Sequence, residues 1–411
     1  MPQEIHQHTL PNGLTLLAEH MEHVRSATLN FLVPAGCVND PPDKLGVASV
    51  LSELIVRGAG ERDNRALTLA LDSLGVDRGE SVLAIHTQFS AGTLARNLPQ
   101  ALEIYADILR RPHFPDEEME PVQALALQDL QGLEDEPRHK VMIELARHHY
   151  PPPFGQDRRG TVECIKKLTI DDVRKHYRRL FRPRGTLLTV AGNLDWPKLR
   201  DQVERLFGDW QGGEEPTLKL GAPPPKRKHL AKETAQTQIA LAYDSVPIQH
   251  PDFYAARAAV DVLSGGMSSR LFTEVREKEA LCYAVSASYR TFKERGSVFC
   301  YAGTTNERAQ RTLDVIVREL KKLQDGIETD EVQRVQAAIK SALIMQQEST
   351  AARAAAMALD WYYLGRIRSL EEIQTAINNL TPATIVEHVR RCPPRDFTVV
   401  TLGPKALDAP A

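Results

Sequence analysis

Two constellations of side chains in this sequence have the types and spacing for chemistry. In Gly46-Val47-Ala48-Ser49-Val50-Leu51-Ser52-Glu53-Leu54, apolar residues at 47, 50, 51 and 54 define one helical face and leave Ser49, Ser52 and Glu53 together at i, i+3, i+4. Asp129 follows Glu53 at a distance of 76 residues. Two carboxylates can work as an acid/base pair or supply part of a site for a hard cation such as Mg²⁺ or Ca²⁺, and close approach raises at least one pKa. The alternative is a pair of helix-surface carboxylates lining an inert cleft. As an acid/base pair they lack an accompanying nucleophile. The second constellation is Arg276 and Tyr283, seven residues apart. They share one helical face if the helix persists, or adjoining turn structure if it ends near Ala280. Guanidinium offers a fixed fork of donors and phenol one aimed donor. Spacing read alone favours an Arg on a charged face beside Glu277 and Lys278 and a half-buried core Tyr.

Other motifs are decoys. Leu263-Ser264-Gly265-Gly266 looks like the signature loop of transport ATPases, but no Gly-Lys dipeptide occurs, so there is no phosphate-cradling loop to accompany it. There is no Gly-x-Ser-x-Gly nucleophile elbow. His148-His149 closes a helical stretch before three prolines and reads as a surface pair, because adjacent helix residues point to different faces.

The elements that must position these groups are repeated. Residues 168–176 read Leu-Thr-Ile-Asp-Asp-Val-Arg-Lys-His and residues 380–388 read Leu-Thr-Pro-Ala-Thr-Ile-Val-Glu-His. Thr169 and Thr381 each fit a helix N-cap, with an apolar residue four on and His seven on. A β-branched strand ending in Gly follows each, to Gly192 and to Gly403. Val122-Gln123-Ala124 after Asp116-Glu117-Glu118 matches Val335-Gln336-Ala337 after Asp330-Glu331, and the offsets of 211 to 213 residues agree. A duplicated domain follows. Between the copies, Gly and Pro density from Gln211 to Pro216 and from Gly221 to Lys228 marks a linker. Its Lys226-Arg227-Lys228 is read as solvated, since no aromatic residues interleave with it. The expected division is an N-terminal domain over 1–210, a linker over 211–231 and a C-terminal domain over 232–411. Pro11-Asn12-Gly13 predicts a tight hairpin turn, Ser26 to Pro34 a strand, and residues 46–57, 98–110 and 117–133 helices. This order predicts an α+β fold of two duplicated domains, each a mainly antiparallel sheet covered by helices.

Composition excludes several classes. The 411 residues are 42 % hydrophobic and 26 % charged, with 51 Lys and Arg against 54 Asp and Glu and a net charge of −3. That balance gives no electrostatic drive towards nucleic acid or an anionic membrane. No apolar run reaches membrane-spanning length, and Met1 to His6 lacks the pattern of a secretory signal. The five scattered cysteines form no Cys-x-x-Cys, which predicts idle or buried thiols and a cytoplasmic protein.

The Gly46–Leu54 segment resembles the zinc helix of the pitrilysin/insulinase metallopeptidases, whose inverted motif is His-x-x-Glu-His. The resemblance extends over nearly the whole chain: Thr9-Leu10-Pro11-Asn12-Gly13-Leu14, His149-Tyr150-Pro151 to Gly160-Thr161 and on to Gly192, and Gly265-Gly266-Met267-Ser268-Ser269-Arg270-Leu271-Phe272 through Arg276 to Tyr283. It implies that Ser49 stands for the first His, Ser52 for the catalytic Glu, Glu53 for the second His and Asp129 for the downstream ligand. Zinc takes imidazole or thiolate and three protein ligands even in open sites, so this set implies no metal and no cofactor in this chain. In the family an Arg and a Tyr at the spacing of Arg276 and Tyr283 hold the substrate backbone and stabilise the oxyanion. The Met267–Arg270 loop is either a structural turn or a short version of a peptide-contacting loop.

Smaller bacterial members of the family often work as two-subunit assemblies, similar to the processing peptidases. The resemblance therefore implies a non-catalytic subunit of a heterodimeric zinc endopeptidase. It would bind peptide and donate Arg276 and Tyr283 in trans to a zinc-bearing sister subunit, with peptidase activity only in that pair. In isolation the chain could instead be a homodimer. The alternative is an inert structural or peptide-binding assembly protein of the same fold.

Overall fold

The computed structural model describes residues 3–213 and 215–409; Glu214 of the expected linker lies outside them, as do Met1, Pro2 and the last two residues. Thirteen strands form in chain order: β1 Glu4–Thr9, β2 Thr15–His20, β3 Ser26–Val33, β4 Gly58–Ala59, β5 Arg62–Asp63, β6 Asp77–Val82, β7 Thr87–Leu94, β8 Leu187–Gly192, β9 Arg227–Ala231, β10 Gln236–Ser245, β11 Cys282–Phe292, β12 Arg295–Thr305 and β13 Thr398–Gly403. Eight helices carry the argument: α1 Val47–Leu54, α2 Met119–Gly132, α3 Pro137–His149, α4 Ile170–Leu180, α5 Phe253–Ser264, α6 Thr329–Gln347, α7 Thr350–Leu364 and α8 Pro382–Arg391.

The duplication is visible in the sheets. One has six strands in the order β1-β2-β8-β3-β7-β6, the other five in the order β11-β12-β10-β13-β9. Read from opposite ends, β2-β8-β3-β7-β6 and β9-β13-β10-β12-β11 are the same succession. In each, one parallel pair (β2 with β8, β9 with β13) sits in an otherwise antiparallel ladder. Each sheet packs helices against a core, one around Leu29, Phe31 and Tyr105, the other around Leu241, Leu263 and Leu313. The α+β duplicated fold is therefore as the sequence reads it.

Small devices repeat too. Thr169 and Thr381 form capping boxes at the starts of α4 and α8. Gln123 on α2 donates to the carbonyls of Ile165 and Leu168 at 2.9 and 2.8 Å; Gln336 on α6 donates to those of Ile377 and Leu380 at 2.9 and 3.1 Å. The Gln noticed as a repeat marker is thus a brace. The histidines are markers of the same kind: His176 and His388 are buried, beside Asp40 at 3.7 Å and Asp252 at 3.3 Å.

The compact units do not follow the sequence division in every segment. One comprises residues 1–132, 156–220 and 346–362, the other 133–155, 221–345 and 363–411. Residues 133–155 precede the linker, yet α3 packs Val141 and Leu145 on Ala240, Phe299 and Val400 of the second sheet. His149 bonds Thr398 Oγ1 and Ser297 Oγ at 3.1 and 2.9 Å. That corrects the surface reading of His148-His149: the His149 side chain is 4 % exposed. Conversely, α7 joins the first unit. Arg353 donates to Glu19 Oε2 at 2.7 Å with both side chains buried, and Thr189 donates to the Ala354 carbonyl at 2.8 Å. Within the expected linker, residues 227–231 form β9, an edge strand parallel to β13. A strand with no apolar alternation is legible only through its partner.

All five cysteines are free, and burial pushes the Cys37 and Cys300 thiols up to about 12. Among the described residues, no helix is long and apolar enough to cross a membrane.

Candidate functional site

Helix α1 forms where the sequence places it, with Val47, Val50, Leu51 and Leu54 buried. Its start is fixed by Gly46, whose φ of 93° suits glycine and where a Cβ would meet the Arg159 carbonyl oxygen at 2.6 Å. The buried Asp40 carboxylate takes the Gly46 and Ala48 amides at 2.8 and 3.3 Å. It therefore caps the helix from a loop rather than from the adjacent position. Burial raises the Asp40 pKa to about 7 against the opposing effect of those two amides, while burial and then the nearby Arg179 charge push His176 down to about 3.

Ser49, Ser52, Glu53 and Asp129 all line one cavity of about 280 Å³. Its other walls include Glu80, Ser81 and Val82 of the edge strand β6, with Arg158 and Arg159. The structure thus brings together the four residues that the sequence separates by up to 80 positions. Glu53 and Asp129 are exposed, whereas Ser52 is buried. Both hydroxyl protons are committed: Ser49 Oγ donates to the Arg158 carbonyl at 2.7 Å, and Ser52 Oγ donates to the Ser49 carbonyl at 2.8 Å.

The sequence reading misses Glu80. Burial raises its carboxyl pKa; Arg78 opposes that, and the charge of Glu53 adds to it. Its Oε1 is buried without a hydrogen-bond partner among the described residues. The signal was weak, because β6 (Asp-Arg-Gly-Glu-Ser-Val) lacks apolar alternation and only its pairing with β7 places Glu80.

Zinc does not fit this donor set. Serine hydroxyls that donate to carbonyls are not ligands for it at neutral pH, and Ser52 cannot serve as a carboxylate base. Among the described residues, no group of three or more His, Cys, Asp and Glu is arranged to hold a metal ion.

The corresponding position in the second unit carries different residues. A cavity of about 210 Å³ between α5 and α6 is lined by Asp261, Gly265 and Ala342, which follow Ser49, Glu53 and Asp129 at the repeat offset.

Arg276 and Tyr283 meet by the second of the two routes left open. A π-helical segment, Phe272–Lys278, ends before Ala280, whose φ is 49°, and Tyr283 stands on a bulge at the start of β11. The Arg276 guanidinium lies 4.6 Å from the Phe272 ring centroid and 5.3 Å from that of Tyr283. Tyr283 is 79 % exposed, which excludes the core-tyrosine reading. Arg270, in the glycine-containing loop, is instead bound to Glu331 through two 2.7 Å hydrogen bonds, and Ser269 Oγ closes the turn on the Gly266 carbonyl. That end of the loop is a structural turn.

Residues 15–152 match the model of the insulinase family (peptidase family M16), and residues 167–339 match that of the peptidase M16 inactive domain. An uncharacterized zinc protease of Rickettsia bellii is 26 % identical over 409 residues, 99 % of each chain. Another, from Bacillus subtilis, is 24 % identical over 403 residues, 97 % of this chain and 98 % of its own. Among solved structures, a peptidase M16 inactive domain from Pseudomonas fluorescens superimposes with a TM-score of 0.90 at 19 % identity, covering 99 % of both chains. A protease from Helicobacter pylori does so at 0.88 and 20 %, covering 98 % of this chain and all of that one.

Proposed function

Because the chain belongs to the pitrilysin/insulinase-type (M16) metallopeptidase family and lacks that family's zinc motif, we propose that it is the non-catalytic subunit of a heterodimeric zinc endopeptidase. The observation that carries this reading is the contrast between its two candidate sites. Ser49 and Ser52 spend their hydroxyls on backbone carbonyls, whereas Tyr283 stands exposed with the Arg276 guanidinium against its ring. In the assembled enzyme, this chain binds peptide as an extended strand at a sheet edge. Arg276 holds the substrate backbone, and the Tyr283 hydroxyl donates to the oxyanion of the tetrahedral intermediate. The metal belongs to a sister subunit carrying His-x-x-Glu-His, and the pair works in the cytoplasm.

The test measures zinc content and peptidase activity of this chain alone and mixed with the product of an adjacent His-x-x-Glu-His reading frame. The expected result is a zinc-free chain with no activity until the two are mixed. Stoichiometric zinc in the lone chain would overturn the reading. An inert mixture would leave a structural assembly protein of the same fold.

A further inference from the structure

The second sheet has one unguarded edge. A sheet edge is an open row of backbone donors and acceptors, and folded proteins blunt it with charge. β9 carries Arg227, Lys228 and His229 in five residues, and β6 carries Asp77, Arg78 and Glu80 in six. β11 runs for eleven residues with one charge, Arg290, whose guanidinium sits 4.3 Å from the Phe299 ring centroid. β11 closes its sheet on one side. Outside its ladder with β12, no hydrogen bond among the described residues reaches the backbone of residues 282–290; the Thr291 carbonyl accepts from the Tyr363 hydroxyl at 3.0 Å.

Arg276 stands at the Cys282 end of this edge. It is exposed and makes no hydrogen bond or ion pair among the described residues. Of the nearby carboxylates, Glu274 is taken by Lys278 at 2.7 Å and Glu279 by Arg311 and Arg318 at 2.9 and 2.8 Å, while Glu277, next to it in sequence, is exposed and does not pair with Arg276 among the described residues. Stacking on Phe272 and Tyr283 holds the guanidinium while leaving its N–H fork open.

We propose that the β11 edge takes the C-terminal segment of an extended peptide, paired antiparallel, with its terminal carboxylate on Arg276. Direction follows from charge. An antiparallel strand brings its C-terminus to the Cys282 end, where a carboxylate meets the guanidinium fork in a bidentate pair. A parallel strand would bring an ammonium there instead, against a cation. Tyr283, standing out on the bulge, offers a ring face to the last side chain. Hydrolysis of a peptide bond creates such a carboxylate, so the ligand class is the N-terminal fragment of a cleaved chain. This rests on the peptide-binding part of the proposed function and adds the site, the direction and the end group.

The experiment uses the full chain alone and an eight-residue Thr/Val peptide labelled at its N-terminus, with a free C-terminal carboxylate or an amide, read by fluorescence anisotropy. The acid is expected to bind about ten- to a hundred-fold tighter than the amide. Arg276→Gln, a change at an exposed side chain, is expected to abolish that difference. N-methylation of alternate peptide amides is expected to weaken the acid at least about tenfold, as for any added strand. Equal affinity of acid and amide for the unmodified chain overturns the carboxylate assignment and leaves the subunit reading standing. Indifference to N-methylation overturns the edge. Failure of both peptides to bind overturns the proposal, while activity on mixing still decides the subunit reading separately.

Discussion

The two units share a frame and end it differently. In both, a glutamine braces two carbonyls, a capping box starts the following helix, and a buried His faces an Asp. In the first unit the two serines of the α1 cavity are spent locally, each hydroxyl closing on a carbonyl. In the second, Asp261, Gly265 and Ala342 stand at the corresponding cavity positions, and the exposed groups are Arg276 and Tyr283 beside an unguarded strand. The lesson is that the repeated frame is held by braces and caps whose side chains line neither cavity, so the cavity residues differ between the units while the frame does not.

The largest test of that separation concerns the segments that each half contributes to the other unit. Arg353 and Glu19 are a buried ion pair, and Arg353→Met leaves the Glu19 carboxylate buried and uncompensated, a loss of about 3–5 kcal/mol. His149, which burial disfavours as a cation, hydrogen-bonds the Ser297 and Thr398 hydroxyls with the exposed Asp244 carboxylate 3.5 Å away, and His149→Leu is expected to cost about 1–3 kcal/mol. Urea unfolding of both variants checks the order; equal losses would show that charge is not what distinguishes the two anchors.

Activity comes next. In the reconstituted pair Tyr283→Phe is expected to lower turnover roughly ten- to a thousand-fold, as loss of an oxyanion donor does elsewhere. Ser52→Ala in the first cavity is expected to leave turnover within about twofold, since its hydroxyl donates to the Ser49 carbonyl. Full activity of Tyr283→Phe would sink the trans-donor role, and a large loss at Ser52 would revive the first cavity.

The brace predicts symmetry. Gln123→Met and Gln336→Met each deprive carbonyls of a donor, and each is expected to cost about 1–3 kcal/mol in a thermal or urea melt. A silent variant in one unit would break the equivalence of the frames there.

The smallest effect is electrostatic. Among the described residues, the buried Asp40 carboxylate accepts from two backbone amides, whereas Asp252 has Arg391 at 2.7 Å. The folded pKa of Asp40, about 7, lies above its ordinary value. The stability this contributes is present in acid and lost as pH rises through about 7. His176 acts in the opposite sense, its contribution being lost as pH falls towards about 3. The comparison is therefore against Asp40→Asn, which lacks the first effect. From pH 6 to 7 the variant is expected to gain on the unmodified chain by about 1 kcal/mol, read from urea midpoints. A constant gap would show that Asp40 does not titrate in that window.

The duplication, the α+β class, the caps at Thr169 and Thr381, the α1 face and the grouping of Ser49, Ser52, Glu53 and Asp129 were all legible in residue types and offsets. Those features are local or periodic, and local chemistry fixes them: a capping threonine needs only its own turn, and a helical face only its own spacing. What tertiary structure decided is long-range. Only folding assigns residues 133–155 and 346–362 to units on the far side of the linker, turns 227–231 into a strand, buries His149, and sets Glu80 beside Glu53. It also chose between the two ways in which Arg276 could reach Tyr283, through a π-helical turn and a bulge rather than along one helix. The reason is the same in each case. Strand pairing and helix docking depend on partners scores of residues away, and an amphipathic segment records that it needs a surface without recording which one.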